Sequence, residues 1–312
     1  MRNTGFVDIH VHPSFKGTGK AEIEAFCQRY GLSRAWLLSL ECAPDGSRDE
    51  VGDLNEPVLN AEVLDLLKER REGFVGGFTL PPGRLPTRQL VEKHIRLGFQ
   101  VCGELKVPGL RFDSRACRSL FDILEDLSVP VLFHIGRAGF SETSLPEFRR
   151  MFRRYPGLVF IAHSMGWWKY LSRSWEADLD CDYPASKLVP TGPAEELLSE
   201  YPNLMANLDM IEGVHALTRD PEYGMSFLSR FKDRLMYGSD FPCEVHLPAT
   251  FQVYANWRDC VMLGTPHLRQ LPERYRQIAE YLLEEPSVRD AVLGGNATRL
   301  IDSLPGQHLP CG

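Results

Sequence analysis

The sequence predicts an α/β protein built as one (β/α)8 TIM barrel, and three observations in its 312 residues predict it. Short apolar runs rich in β-branched and aromatic residues recur eight times, each bounded by Gly, Pro or polar residues, as buried parallel strands are. Segments with the 3.6-residue period of amphipathic helices separate them. Several runs end in His or Asp, at the C-terminal strand edge where barrels build their sites.

The predicted strands are Phe6–His12, Ala35–Leu40, Phe74–Leu80, Val101–Val107, Val129–Ile135, Leu158–His163, Asn203–Leu208 and Arg234–Asp240. Between them NAEVLDLLKERRE, TRQLVEKHIRLG, SRACRSLFDILEDLS and LPEFRRMFRRYPG carry helical periodicity, with Gly or Pro often at the boundary. The loop from Ser164 to Pro202 is the longest break and holds Trp167, Trp168, Tyr170, Trp175 and Tyr183. Its aromatics either cover the barrel rim or, because the loop leaves the strand ending in His163, wall a pocket; Trp167 is then a substrate contact. Residues 247–312 hold PERYRQIAEYLLEE and GGNATRLIDSL, read as a helical extension packed on the barrel, so that 1–312 form a single domain.

With 43% apolar and 25% charged residues the chain can bury a sizeable core, and disorder is not expected. A net charge of −7 argues against a general affinity for nucleic acid or anionic membranes and favours a small-molecule substrate. The eight cysteines are scattered without a CxxC pair and read as reduced thiols. With no signal-peptide core and no run of about 18 apolar residues, the expectation is a cytoplasmic protein, with a homodimer as its candidate assembly.

Asp8, His10 and His12 stand at i, i+2 and i+4 of the first run, and a strand's period of two puts such residues on one face. Imidazole nitrogens so paired suit a borderline cation such as Zn²⁺. An isolated HxH, or one His at a strand end, is as readily structural. Here His134 ends the fifth strand, His163 the sixth and Asp240 the eighth, so five polar groups meet at one rim. His94, His215, His267 and His308 lack this register and read as packing or surface histidines. In CGELKV, Glu104 and Lys106 share a face, and either reaches the rim, as a substrate contact or a salt-bridge partner. Arg111 and Arg137 lie in βα loops, where a guanidinium either grips a substrate carboxylate or is simply solvated. Glu244 and His246 follow Asp240 in the same way, and Pro13, Gly136 and Gly166 read as turn residues that bring backbone near the centre.

The order DxHxH, a fifth-strand His, a sixth-strand His and YGSDFP at 237–242, with GGNATRL at 294–300, resembles the amidohydrolase superfamily over nearly the whole chain. It is most similar to the amidohydrolase-related branch, which includes aminocarboxymuconate-semialdehyde decarboxylase, aromatic-acid decarboxylases, lactonases and hydrolases. The resemblance implies that His10, His12, His134 and Asp240 hold one divalent metal, Zn²⁺ before Mn²⁺, with His163 and Asp240 moving protons. In TatD-like relatives a fourth-strand Glu, and in many two-metal members a carboxylated Lys, bridges a second metal, which implies that role for Glu104 or Lys106. The flanking LKVPG departs from the TatD-like pattern. The leading expectation is hydrolysis of a small amide, lactone or ester. The alternative is non-oxidative decarboxylation of an unsaturated or aromatic acid on the same site, followed by a TatD-like nuclease or an inactive metal-binding protein.

Overall fold

The computed structural model describes residues 5–40, 59–69, 71–80, 86–136, 139–209, 211–242 and 252–305. Its strands are β1 (Phe6–Val11), β2 (Leu32–Leu38), β3 (Phe74–Phe78), β4 (Phe99–Leu105), β5 (Val131–His134), β6 (Phe160–His163), β7 (Leu204–Asp209) and β8 (Leu235–Gly238). They form one parallel eight-stranded sheet in chain order, each connected to the next through helix, so every predicted run falls on a strand. The sheet curls into a barrel: Val11 bridges Phe241, and the His12 N–H donates to Phe241 O at 2.8 Å. The widest difference from expectation is β2, which begins at Leu32 because Leu32 pairs with Phe6; that register is set across the sheet and leaves no mark in the local pattern LSR.

Two apolar layers hold the barrel. Val7, Ile9, Trp36, Leu38, Val75, Val101, Leu132, Ile161 and Met236 cluster with Ala297 and Ile301. The helix Asn296–Asp302 sits at the strands' starting end, where Arg34 reaches Asp302 at 3.1 Å and Asn296 Nδ2 donates to Leu235 O at 2.6 Å. The opposite strand faces, including Leu37, Phe74, Phe133 and Leu208, pack on the surrounding helices. Helix Arg115–Asp126 shows how: the Ser114 side chain accepts from Cys117 N, and Cys117, Leu120, Phe121 and Leu124 line one buried stripe. Burying each of its Leu and Phe side chains contributes about 1.5–3 kcal/mol. Tyr254, Trp257, Ile278 and Leu282 of the C-terminal extension join this outer layer.

One expectation changes at β1. The register shifts between Asp8 and Val11, and the period of two is interrupted there. Asp8 therefore does not join His10 and His12; its Oδ1 accepts the backbone N–H groups of His10 (3.0 Å) and Ser239 (2.9 Å) instead. A short carboxylate bonding two residues ahead offers the chain this local alternative to the ladder. The Asp8 carboxylate thereby ties β1 to the end of β8, while Val7 and Ile9 face the inner layer. Among the described residues no helix is long and apolar enough to cross a membrane.

Candidate metal centre

The ends of β1, β4, β5, β6 and β7 and the turn after β8 bring the chemistry together. His10 and His12 turn their Nε2 atoms to within 2.9 Å of each other. Asp240, two residues beyond β8 with a left-handed φ of 55°, places Oδ1 at 3.4 Å from His10 Nε2 and 3.3 Å from His12 Nε2. Glu104 occupies the middle: Oε2 lies 3.2 Å from His12 Nε2 and 3.6 Å from His10 Nε2, and Oε1 lies 2.6 Å from His134 Nδ1 and 3.8 Å from His163 Nε2. Gly103 makes room for this strand end, since a Cβ there would stand 2.9 Å from Leu132 O. Among the described residues, two groups of three converge within 4.8 Å, His10 with His12 and Asp240, and His10 with Glu104 and His163.

His134 stands beside these groups. Its Nδ1 meets Glu104, and its Nε2 lies 3.0 Å from Ser164 Oγ. Gly136 and Gly166 bring the β5 and β6 turns together: Gly136 has a φ of +116°, and a Cβ on Gly166 would stand 2.7 Å from Ile135 O. Lys106 lies just past β4, and its charge acts on His134.

Burial shapes the electrostatics. It would raise the Glu104 carboxyl, yet hydrogen bonds from His10, His12 and His134 hold it well below its ordinary value. Asp240 is held down against burial by the charges of His10 and His12 and a hydrogen bond from His12. Burial pulls His12 down, but hydrogen bonds and charge from Asp240 and Glu104 outweigh it and bring its pKa up to about 9. His163 is pushed well below its usual range by burial and by His10, and His134 is lowered by burial and the Lys106 charge. Two buried carboxylates thus stay ionised, and the imidazole between them is left to supply the positive charge. Two imidazole nitrogens and two carboxylates, drawing in a cation at one buried point, are a donor set that suits a divalent ion such as Zn²⁺.

Several residues of the site carry no signal that was used in reading the sequence. Asn207 Nδ2 lies 2.9 Å from His163 Nδ1, and Asp209 Oδ2 lies 3.6 Å from the same nitrogen. Both alternate along β7 as His10 and His12 do along β1, and this period is the signal that could have found them. Trp168 Nε1 donates to Asp209 Oδ2 at 2.8 Å, whereas Trp167 is buried against Tyr170. Asp209, raised to about 6 by burial, neighbours Glu212, whose carboxyl burial raises well above its ordinary value. The loop after β6 lines a narrow pocket through Met165, Trp168 and Lys169, with Glu212 and Arg219 opposite. A wider, open cleft lies beside Gly136, Ser141, Glu142, Leu179 and Asp180. Arg111 pairs with Asp113 and Glu147 on the surface. Arg137, Glu244, His246 and His308 lie outside the described residues, as does the side chain of His267.

The sequence profile of a family described as Amidohydrolase matches residues 7–302. No curated protein matches the chain. Among solved structures it is similar to a probable 2-pyrone-4,6-dicarboxylic acid hydrolase from Acinetobacter baumannii with citric acid bound, at 11% identity and TM-score 0.58, over 96% of this chain and 99% of that one. It is also similar to 5-carboxyvanillate decarboxylase from Sphingomonas paucimobilis, at 12% identity and TM-score 0.56, over 96% and 99%. A third is an amidohydrolase from Burkholderia multivorans with bound zinc, at 15% identity and TM-score 0.56, over 96% and 99%. At these identities the likeness is one of fold.

Proposed function

The chain belongs to the amidohydrolase family, and from that premise we propose that it is a metal-dependent hydrolase of a small amide, lactone or ester. The observation that carries the reading is the buried convergence of His10, His12 and Asp240 on Glu104. We assign His10, His12 and Asp240 to one divalent ion, Zn²⁺ before Mn²⁺; His134, expected as the fourth ligand, turns Nδ1 to Glu104 and is held to the group through it. The second triad, His10 with Glu104 and His163, supports room for a further ion. When bound, the metal supplies Lewis acidity toward a carbonyl and an acidified water.

The protein's own groups do the rest. His163, kept neutral by burial, turns Nε2 toward Glu104 and the centre and is placed to take up a proton there. Asp240 is the most exposed group of the centre, with its side chain 17% accessible, and can exchange protons with substrate. The cleft beside Gly136, two residues after His134, offers a small molecule an approach, and Trp168 rather than Trp167 reaches the site's polar groups. The barrel and its extension act as a single domain, supported by their shared apolar layer.

The decarboxylation reading keeps one observation in its favour, the Lys106 charge beside His134, which suits a substrate carboxylate. The fold likeness to 5-carboxyvanillate decarboxylase is compatible with it. Purified protein reconstituted with Zn²⁺ or Mn²⁺ and given a panel of lactones, esters, anilides and aromatic acids separates the two by acid release against CO2 release. Acid release that chelation abolishes is the expected result. CO2 release alone replaces hydrolysis with decarboxylation, and turnover by thoroughly metal-free protein removes both.

A further inference from the structure

His10 and His12 both aim Nε2 at the centre, but their other ring nitrogens meet different chemistry. His12 Nδ1 lies 3.1 Å from Leu38 O, a carbonyl that can only accept, so a hydrogen stays on Nδ1 and Nε2 is the nitrogen that a cation, once bound, takes over from the proton. His10 Nδ1 instead lies 3.4 Å from Asn207 Nδ2, and His163 Nδ1 lies 2.9 Å from the same atom. One carboxamide edge therefore faces both rings. Asn207 is fully buried on β7, and its Oδ1 has no hydrogen-bond partner among the described residues. A Cβ on Gly238 would stand 2.3 Å from that Oδ1 and 2.8 Å from His10 Cβ, so bare backbone on β8 is what leaves the amide its place.

The edge has two settings with opposite consequences. With Nδ2 facing the rings it donates to both Nδ1 atoms, and the hydrogens of both imidazoles move to Nε2, where they point into the centre and oppose a cation. A half-turn of the amide brings Oδ1 to the same edge, which then accepts from both Nδ1–H groups and frees both Nε2 lone pairs. We propose that Asn207 is a positioning residue that selects the tautomers of His10 and His163 together, turning Oδ1 to them when a divalent ion is held. The inference rests on the metal-dependent reading above. It gives His10 the acceptor that Leu38 O already gives His12, and it leaves His163 with a free Nε2 able to take up a proton.

The test uses the full chain as wild type, Asn207→Asp and Asn207→Leu, each titrated with Zn²⁺ against a chromophoric chelator. Histidine ¹⁵N spectra of the wild type, with and without Zn²⁺, report the tautomers directly. An acceptor-only Asp should hold about the wild-type affinity or tighter, whereas Leu should lose about 10- to 100-fold, the range expected when a group orienting a ligand is removed. The spectra should show His10 and His163 passing from Nε2–H to Nδ1–H as Zn²⁺ is added. Leu binding as tightly as wild type, Asp losing as much as Leu, or tautomers unchanged by Zn²⁺ each overturns the role of Asn207 and leaves the metal reading intact. Wild type that takes up no Zn²⁺ removes the metal reading, and this inference with it. Should the Leu variant fail to fold, the wild-type spectra and the Asp variant decide.

Discussion

His163 faces Asn207 and Asp209 with Nδ1, on the edge turned away from the centre, and burial pushes it toward its neutral form. With Nε2 toward the centre, this imidazole is positioned to pass a proton there. His163→Ala should keep most of its metal and lose roughly 10²- to 10⁴-fold in kcat, the range for a positioned acid or base. His10, shared by both triads, should lose metal and activity together when changed to Ala. Elemental analysis run beside the kinetics checks both, and a metal-free His163→Ala would make that residue a ligand. Glu212 makes a separate prediction, because its buried Oε2 has no hydrogen-bond partner among the described residues and burial raises its carboxyl. A carboxyl with a raised folded-state pKa binds its proton more tightly in the folded chain. Its stabilising contribution is therefore present below the unfolded value and is lost as pH rises through the folded one. Glu212→Gln should flatten that loss, so that the variant's stability falls less than the wild type's between pH 5 and pH 8. Urea unfolding at pH 5 and pH 8 measures it, and parallel pH slopes for the two proteins would refute it.

At the scale of elements, β7 and β8 do for the centre what β1 cannot do alone. β7 presents Asn207 and Asp209 inward, and β8 stays thin beside them at Gly238. Any Cβ at 238 must displace either the Asn207 amide or the His10 side chain, and neither is an exposed, flexible group. Gly238→Ala should cost about 1–3 kcal/mol, as overpacking does, and weaken metal uptake in the same protein. Denaturant midpoints and Zn²⁺ titration read the two effects, and a variant with wild-type values for both would show that the strand yields freely. Similar crowding explains Gly103 before Glu104, where backbone of β5 closes the space.

Over the whole molecule, the extension and the barrel share one apolar layer. Trp257, fully buried, belongs to the same cluster as Leu37, Phe133 and Leu208 of the strands. Trp257→Ala should therefore destabilise the whole chain by about 3–5 kcal/mol, the usual cost of emptying a large aromatic site. If barrel and extension are one cooperative unit, the variant unfolds in a single transition at a lower midpoint. A separate early transition that spares the barrel would make residues 252–305 a unit of their own.

Strand order and the positions of His10, His12, His134, His163 and Asp240 at strand ends were legible in the sequence, because alternation of strand and helix is a local, repeated signal. Glu104 and Lys106 were legible as a pair, but which of them enters the middle was not. Glu104 enters because its strand end sits between His12 on one side and His134 on the other. Asp8, read from a period of two, leaves the imidazoles because the β1–β2 register shifts and the end of β8 offers it a backbone N–H. Asn207 meets His10 across a separation of 197 residues, and Trp168 meets Asp209 across 41. Such contacts exist only once the barrel has closed, so only the tertiary structure decided which side chains orient the histidines, while the local pattern determined where the histidines stand.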